Sequence, residues 1–234
     1  MSKLSLQDSS KKYYRKYLKK YPEIRKWVEE KVKFIRLDNG QTFQWFEIID
    51  SIMKICPPPK KFLDLGCGPG ARDSLYLQKA GYQVLACDVL PEIIEDTSKT
   101  NLCLKNKIRL IDIAQKLPFK KQIFDLVFCS HVIQHLEEKS VFETTLPEVK
   151  RILKPGGYFF LVFKTGSGKK EIYDPTSKIH RFFNLFKPDK IVRQLKKIGF
   201  VFTRNDPFRK SILYKDDRDF KTCLIFVQKK TSQK

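Results

Sequence analysis

The segment Phe62–Gly70, which reads FLDLGCGPG, constrains the fold more than any other part of the sequence. An apolar run ends there in a carboxylate and then in three glycines, Gly66, Gly68 and Gly70, before a helical stretch begins at Ala71. Glycine accepts a positive φ angle and lets a ligand lie directly on the backbone. In open α/β sheets ligands bind at the carboxyl ends of the strands, so we expect a ligand site at this turn. The spacing matches neither the G-x-G-x-x-G of dinucleotide-binding turns nor a Walker loop.

Short apolar runs alternate with helical stretches throughout the middle of the chain. Strands separated by helices of ten or more residues predict a parallel sheet with crossover helices. Nearly continuous apolar strands are typical of a sheet that is covered on both faces. The predicted strands are 61–65, 83–87, 108–111, 123–129 and 157–163, with candidate last strands at 200–204 and 222–228.

The pattern differs on the two sides of this alternating region. Apolar residues spaced by three and four predict helices over 11–34, interrupted near Pro22, and over 42–55. We therefore predict a helical N-terminal extension followed by one main domain that contains a long irregular insert. Loops of that length are usually functional or mobile. The predicted ranges are 1–56 for the extension, 57–234 for the domain and 164–186 for the insert.

The net charge of +21 is concentrated in the two flanks of the chain. Residues 63–165 are almost neutral, with 14 basic and 12 acidic side chains. Basic flanks around a neutral centre suit a polyanion such as RNA. Solvated lysine-rich surfaces produce the same count, so both interpretations stay open.

The six cysteines contain no C-x-x-C pair, which argues against a zinc ribbon or a thioredoxin-like site. Most lie in apolar runs, as buried free thiols do in a reducing cytoplasm. No run approaches the ~20 apolar residues that cross a bilayer, and the N-terminus lacks an apolar signal core. We expect a cytoplasmic protein without a membrane span.

Polar residues of the types that bind ligands or act in catalysis follow each of the next three predicted strands. Asp88 ends the second strand, where a carboxylate is able to accept both hydroxyls of a ribose. It is also placed to cap the helix that starts at Pro91. Asp112 follows the third strand, as a ligand contact or a plain turn residue. Cys129–His131 end the fourth strand.

These features, together with the turn Pro155-Gly156-Gly157, resemble in order and type the class I S-adenosylmethionine-dependent methyltransferases of the small-molecule type. The matches cover residues 62–163. The resemblance implies a three-layer α/β/α Rossmann-like sandwich with a mostly parallel seven-stranded sheet and an antiparallel last strand. It implies S-adenosylmethionine as the cofactor. It also implies that the N-terminal extension forms a lid and that the insert belongs to the acceptor pocket.

The resemblance assigns each polar residue a part of the cofactor. The glycine loop packs against the methionine part and is held by Asp64, Asp88 binds the ribose, and Asp112 with Ile113 binds the adenine. Cys129, Ser130 and His131 face the methionine sulfur and methyl group. The implied cofactor-binding residues are Asp64, Gly66, Cys67, Gly68, Gly70, Asp88, Val89, Asp112, Ile113, Cys129 and Ser130.

The two histidines of the fourth-strand loop have different expectations. His131 titrates near neutral pH and is the candidate general base, or it only shapes the pocket. His135 is expected to be a packed structural histidine. We expect no metal, because the H-E-x-x-H motif and an evident third ligand are missing.

Several further residues keep more than one interpretation. Arg72 either approaches the cofactor carboxylate or pairs with Asp73, and residues 180–183 either line the acceptor site or close a loop. N-terminal aromatic residues either cover the cofactor, stack on an acceptor ring or form a helix-packing stripe: Tyr13, Tyr14, Tyr17, Trp27, Trp45 and Phe46.

The expected reaction is transfer of a methyl group to an N, O or C atom of an unidentified, small-molecule acceptor. Two alternatives remain, an RNA methyltransferase that uses the basic flanks and a non-catalytic cofactor-binding partner subunit. The N/D-P-P-Y/F motif of amino-directed DNA methylases is missing after the fourth strand, and no paired-cysteine chemistry of the C5-pyrimidine type is evident. The sequence leaves the oligomeric state undetermined.

Overall fold

The structure is a computed structural model that describes residues 6–19, 34–37, 42–174, 178–203, 211–215 and 221–231. Trp27 and most of the predicted helix over 11–34 beyond residue 19 lie outside the described residues.

The described chain alternates helices with strands, as the sequence predicts. The elements are α1 (Leu6–Lys19), β1 (Phe34–Leu37), β2 (Thr42–Gln44), α2 (Trp45–Ile55), β3 (Lys61–Leu65), α3 (Arg72–Lys79), β4 (Gln83–Asp88), α4 (Pro91–Thr100), β5 (Ile108–Leu110), β6 (Phe124–Ser130), α5 (Glu138–Ser140), α6 (Leu146–Ile152), β7 (Leu153–Lys164), β8 (Gly168–Asp174), β9 (Ile179–Leu185), α7 (Pro188–Lys197), β10 (Phe200–Val201), β11 (Ser211–Lys215) and β12 (Lys221–Lys229).

One mixed sheet organises these elements. Its order is β2-β1-β11-β12-β7-β6-β3-β4-β5, and β10 pairs with β12 beside β11. The five strands from β5 to β7 are parallel, and β12 runs antiparallel to β7. The predicted α/β fold with an antiparallel last strand is therefore confirmed. The strands β1, β2 and β11 extend the sheet beyond the predicted seven strands.

Two apolar layers cover the faces of the sheet, because successive side chains of a strand point to opposite sides. Phe62 and Phe128 belong to the core that packs under α2 and α3. Leu63 and Val127, their chain neighbours, belong to the core under α6 and α7. The three-layer sandwich follows from this alternation.

Three segments differ from the sequence prediction. Residues 42–44, predicted as the start of a helix, form β2, because the backbone N–H of Gln44 donates to Glu47 Oε2 at 2.7 Å and the helix begins only at Trp45. Much of the insert near 164–186 is an antiparallel hairpin of β8 and β9. The alternation of strands and helices predicts a helix directly after β6, but the next α-helix begins only at Glu138. His131, directly after β6, has a left-handed φ of 57°, which does not continue into a helix.

Candidate functional site

The loop after β3 adopts a backbone that suits glycine. Gly66, Gly68 and Gly70 all have positive φ angles, between 65° and 75°. The N–H groups of Gly66 and Cys67 both donate to the carbonyl oxygen of Cys87 at 2.9 Å. The loop is therefore fixed to the carboxyl end of β4 by its own backbone.

Two of these glycines meet different surroundings. A Cβ on Gly66 would lie 2.5 Å from Val132 Cγ2, so the loop after β6 packs directly on the backbone of the glycine loop. A Cβ on Gly68 would meet nothing within 4 Å. The backbone at Gly68 thus borders open space, as a surface on which a ligand lies requires.

Asp88 links the glycine loop to the loop after β4. Its Oδ2 accepts from the N–H of Gly68, and its Oδ1 accepts from the N–H of Leu90, both at 3.1 Å. Leu90 is itself the N-cap residue of α4, so Asp88 braces two loops rather than capping that helix. Burial raises the pKa of Asp88. A carboxylate offers about four acceptor positions, so this side chain is able to accept further hydrogen bonds.

Asp64 lies beneath the glycine loop at the end of β3. It is buried, and its Oδ2 accepts from Ser74 Oγ of α3 at 2.7 Å. Burial and the nearby charge of Asp73 raise the pKa of Asp64 to about 7. This contact ties Asp64 to α3, and its role of holding the glycine loop stays a prediction.

Asp112 stands at the carboxyl end of β5 and contacts the N-terminal helix. Its Oδ1 accepts from the N–H of Ala114, and its Oδ2 accepts from Gln7 Nε2, both at 2.9 Å. Both carboxylate oxygens of Asp112 therefore have a partner, one in the turn and one on α1. Ile113 beside it is buried.

The loop after β6 brings Ser130 and His131 to the same edge. Ser130 pairs in register with Val162 of β7, and the N–H of His131 donates to the carbonyl of Val162 at 2.8 Å. Both side chains are partly buried. Cys129 is different, because its side chain is fully buried in the core under α6 and α7. Only the backbone of Cys129 is therefore expected to approach a ligand.

His135 is the packed structural histidine that the sequence predicted. Ser10 Oγ lies 2.9 Å from its Nδ1, and Tyr14 Oη lies 3.3 Å from its Nε2. Burial, followed by the charges of Arg181 and Lys164, holds its pKa well below the usual range. The ring is neutral at physiological pH and ties α1 to the loop after β6.

Helix α1 consequently crosses the carboxyl edge of the sheet. It contacts the loop after β5 through Gln7, and Arg15 forms a 2.6 Å ion pair with Glu92 of α4. At its other side the Arg181 guanidinium lies 3.9 Å from the ring centroid of Tyr13. Gln7 and Ser10 were missed by the sequence interpretation, because a polar residue on a helix gives no signal of its distant partner.

Two further cations lie near this edge, Lys164 at the end of β7 and Arg181 on β9. Lys164 is only 6% exposed, and Arg181 is partly buried. Lys164 Nζ and Arg181 Cζ lie 5.6 Å and 4.8 Å from the ring centroid of Phe183. The sequence interpretation left residues 180–183 open and missed Lys164, which follows an apolar strand without any motif.

Arg72 of α3 and Trp45 of α2 lie next to each other. Arg72 Nε pairs with Asp73 at 3.0 Å, and its guanidinium lies over Trp45 and Phe46. Trp45 is buried in the core, where it packs near Phe160, and its Nε1 donates to Asp73. Arg72 therefore forms the ion pair with Asp73, and Trp45 packs in the core as part of a helix-packing stripe.

The arrangement fits an adenosine cofactor with a charged methionine part. Open backbone at Gly68, a buried carboxylate at Asp88 and a partly buried carboxylate at Asp112 lie along the ends of β3, β4 and β5. Val89 is half-buried directly after Asp88. These groups offer acceptors for hydroxyl and amino groups beside a side-chain-free surface.

The segment that contains this edge is similar to known methyltransferases. Residues 63–161 match the family described as methyltransferase domain. An uncharacterized methyltransferase of Synechocystis is 35% identical over 105 residues, which are 45% of this chain and 47% of that protein. The matched part thus spans about half the length of such curated relatives.

Two solved structures share the fold over nearly the whole chain. One is a Burkholderia thailandensis 1,6-didemethyltoxoflavin-N1-methyltransferase with bound S-adenosylhomocysteine, at a TM-score of 0.66 and 13% identity, covering 98% of this chain and 92% of that one. The other is the 4+2 cyclase SpnF, at a TM-score of 0.67 and 11% identity, covering 99% of both chains. No helix in the described part of this chain has the length and apolar character to cross a membrane.

Replacing the two contrasting glycines will separate backbone strain from steric overlap. Gly66→Ala and Gly68→Ala both force alanine to a positive φ angle, a strained conformation that costs roughly 1–3 kcal/mol. Only Gly66→Ala also meets Val132. We expect its free energy of unfolding to fall by at least ~1 kcal/mol more than that of Gly68→Ala, measured by urea titration. Adding Val132→Ala will recover part of that difference. Equal losses in the two single variants would contradict the close approach.

The raised pKa of Asp64 predicts a pH dependence of stability. The folded chain keeps a proton on Asp64 up to a pKa of about 7, whereas the unfolded side chain loses it near 3.8. The unfolded state then binds fewer protons in this window, so this group makes stability fall as pH rises from about 4 to about 7. Asp64→Asn will remove that part of the decline, measured by urea unfolding at several pH values. Asp96→Asn, on the outer surface of α4, is the control, and the same slope in both variants would contradict the assignment.

Proposed function

We propose that the chain carries a domain of the class I S-adenosylmethionine-dependent methyltransferases and transfers a methyl group from S-adenosylmethionine to an N, O or C atom of a small-molecule acceptor. The observation that carries this proposal is the meeting of the glycine loop, Asp88, Asp112 and His131 at one edge of the sheet. All of these residues lie within residues 63–161, the segment that matches the methyltransferase domain family.

We propose that the cofactor lies along the ends of β3, β4 and β5. Asp88 would accept the ribose hydroxyls, and Asp112 with the apolar Ile113 would bind the adenine. The loop from Gly66 to Gly70, with Cys67 between them and Asp64 beneath, would hold the methionine part. When bound, S-adenosylmethionine supplies an electrophilic methyl group. Val89, Ser130 and the Cys129 backbone would complete the contacts.

The chain's own contribution to the reaction would be alignment and exclusion of water. An activated methyl donor needs an acceptor held in line at short distance more than it needs a strong catalyst. Helix α1 crosses this edge and so limits the access of water. His131 is the proposed general base where the acceptor has a proton to lose, because it is partly exposed at the end of β6. Its left-handed φ of 57° is the kind of local strain that occurs at functional sites.

The proposed division of the chain follows the same geometry. We propose that residues 1–56 act as a lid through α1 and that residues 57–234 form the methyltransferase domain, although β1 and β2 of the extension pair with the sheet. The hairpin within 164–186 would line the acceptor pocket. We also propose a cytoplasmic location, which the six free cysteines support.

A second candidate function is cofactor binding without methyl transfer. The similarity of the fold to that of a cyclase favours this candidate, because a protein named for a different reaction has the same fold. The basic surface keeps RNA as an alternative acceptor. On α7 the exposed cations include Arg193, Lys196 and Lys197.

Transfer of label from the methyl group of S-adenosylmethionine tests the proposal. The purified chain is incubated with the labelled cofactor and a cell extract, and RNA, protein and small molecules are then separated. We expect the label in the small-molecule fraction. Label in RNA would replace the proposed acceptor with the alternative. Tight binding of S-adenosylhomocysteine without any transfer would favour the non-catalytic function.

Asp88→Ala tests the proposed ribose contact. Loss of a buried charged hydrogen bond, worth about 1.5–3 kcal/mol, will raise the Kd for S-adenosylhomocysteine about ten-fold to a hundred-fold, measured by calorimetry. Because Asp88 also braces Gly68 and Leu90, the unfolding midpoint is measured in parallel. Asp96→Ala is the matched control on α4. An unchanged Kd in a folded Asp88→Ala protein would rule out the ribose assignment.

A further inference from the structure

The five parallel strands all begin at one edge of the sheet, opposite the proposed cofactor site. We call this the amino edge. Strand β6 runs from the amino edge to the loop that carries His131 in seven residues. At about 3.3 Å per residue, the two edges are roughly 20 Å apart. A ligand at the amino edge is therefore separate from the proposed methyl-transfer site.

The charges of the almost neutral segment 63–165 are largely separated between these two edges. Its acids Asp64, Asp88 and Asp112 end or follow strands at the carboxyl edge. Many of its exposed lysines lie instead where helices end and strands begin, which is the amino edge. A lysine-rich composition raises the total charge, but it does not separate the two signs. The lysines concerned are Lys79, Lys99, Lys105, Lys120 and Lys121.

The helix dipole accounts for only part of this arrangement. A cation in the last turn of a helix is favoured by the partial negative charge there, as Lys99 is on α4. The dipole does not explain the exposed lysines that precede or begin strands. These are Lys60 and Lys61 at the start of β3 and Lys120 and Lys121 before β6.

Contacts between the strand starts join these lysines into one surface. The N–H of Lys61 donates to Asp125 Oδ2 at 2.9 Å, and Lys154 Nζ pairs with the same carboxylate at 2.8 Å, so β3, β6 and β7 meet there. Beyond β7, the N–H of Lys230 after β12 donates to the carbonyl oxygen of Gly199 at 3.0 Å. This contact brings the basic last turn of α7 to the same edge.

The acids at the amino edge neutralise part of its charge. Asp125 holds Lys154, and Glu148 forms a 2.7 Å pair with Arg151. Each of these acids engages one cation of its own. In the described part of the chain, the exposed lysines at the starts of β3 and β6 therefore exceed the acids beside them.

A cleft of about 280 Å³ opens within this surface. Lys60 and Lys154 line it together with Tyr158 and the glycine turn 156–157. Asp125 also lines the cleft, where it is paired with Lys154. Basic grooves that contain aromatic side chains are typical of sites for single-stranded nucleic acid, because cations follow the phosphates and rings contact the bases.

We propose that the amino edge binds a single strand of nucleic acid, with its phosphates on the lysines at the starts of β3 and β6 and one nucleotide in the cleft beside Tyr158. Phosphates dominate the affinity of proteins for nucleic acids, and exposed lysines are their usual partners. This inference goes beyond the proposed function, because a strand at this edge lies away from the transferred methyl group.

The shape and the apolar content of the amino edge favour a strand over an anionic lipid surface. A bilayer is flat, so its headgroups do not follow a cleft between strand starts. Peripheral membrane binding also buries apolar side chains among the lipids. Among the large apolar side chains that are exposed in the described residues, Leu102 lies after α4 near this edge. Leu110 ends β5 at the opposite edge, and Tyr173 lies on β8.

Titration of fluorescein-labelled oligouridylate and oligothymidylate tests the proposal, with fluorescence anisotropy read at several KCl concentrations. We expect binding at low salt that weakens steeply as KCl rises, with a slope of about −0.7 in the logarithm of the association constant for each phosphate contact. Binding of either oligomer supports the proposal, and the tighter one identifies the favoured sugar. Lack of binding to both at low salt would overturn it.

Two triple variants assign the binding to the amino edge. Lys60→Gln, Lys61→Gln and Lys121→Gln together remove three exposed charges from it. We expect the Kd to rise at least about ten-fold and the salt slope to flatten by about two. The control removes the same charge from α1 at the carboxyl edge, and its Kd will rise less than about three-fold, because distant exposed charges are screened. This control carries Lys12→Gln, Lys16→Gln and Lys19→Gln.

Three further outcomes would contradict the proposal. Equal losses in the two triple variants would mean that the strand responds to net charge alone. Binding to vesicles of phosphatidylcholine and phosphatidylserine, without binding to either oligomer, would replace the strand with a lipid surface. Competition between an oligomer and S-adenosylhomocysteine would place the strand at the carboxyl edge. We expect S-adenosylhomocysteine to leave the Kd for the strand unchanged. Its own failure to bind would overturn the methyltransferase proposal and leave this inference intact.

Discussion

The contact between Gly66 and Val132 is the constraint on which the rest of the site depends. It needs a residue without a Cβ at a positive φ angle, and it packs the loop after β6 against the loop after β3. The same glycine donates its N–H to Cys87 at the end of β4. Three strand ends are thereby fixed to one another by backbone and by a single valine. Asp88 and His131 hold their relative places because these loops cannot separate without losing that contact.

A second, weaker connection joins the N-terminal helix to the same loops. His135 is buried and neutral, and hydroxyl groups of Ser10 and Tyr14 lie at its two ring nitrogens. A neutral imidazole presents one donor and one acceptor, and hydroxyl groups adapt to either. The connection therefore costs little desolvation energy and does not need a charge. Ion pairs at the surface, such as Arg15 with Glu92, add little to it because both side chains are largely solvated.

The sequence was sufficient for the parts of the molecule that local patterns determine. Apolar strands, the glycine turn and the acids at strand ends are each visible in a short window, and the parallel core with its antiparallel β12 is confirmed. The partners Gln7 and Ser10 were not predictable, because their contacts with Asp112 and His135 cross more than a hundred residues. For the same reason β1 and β2 were missed, since a short edge strand depends on pairing with a distant segment.

The order of the strands suggests how one edge of the sheet serves two ligands. Asp88 and Asp112 end or follow β4 and β5, where the proposed cofactor brings hydroxyl groups and an amino group. The glycine loop follows β3, and His131 follows β6 on the other side of β3. The methionine part proposed at the glycine loop would therefore lie between the adenosine contacts and the proposed base. A methyl group transferred from that position moves toward His131, where an acceptor proton would be released.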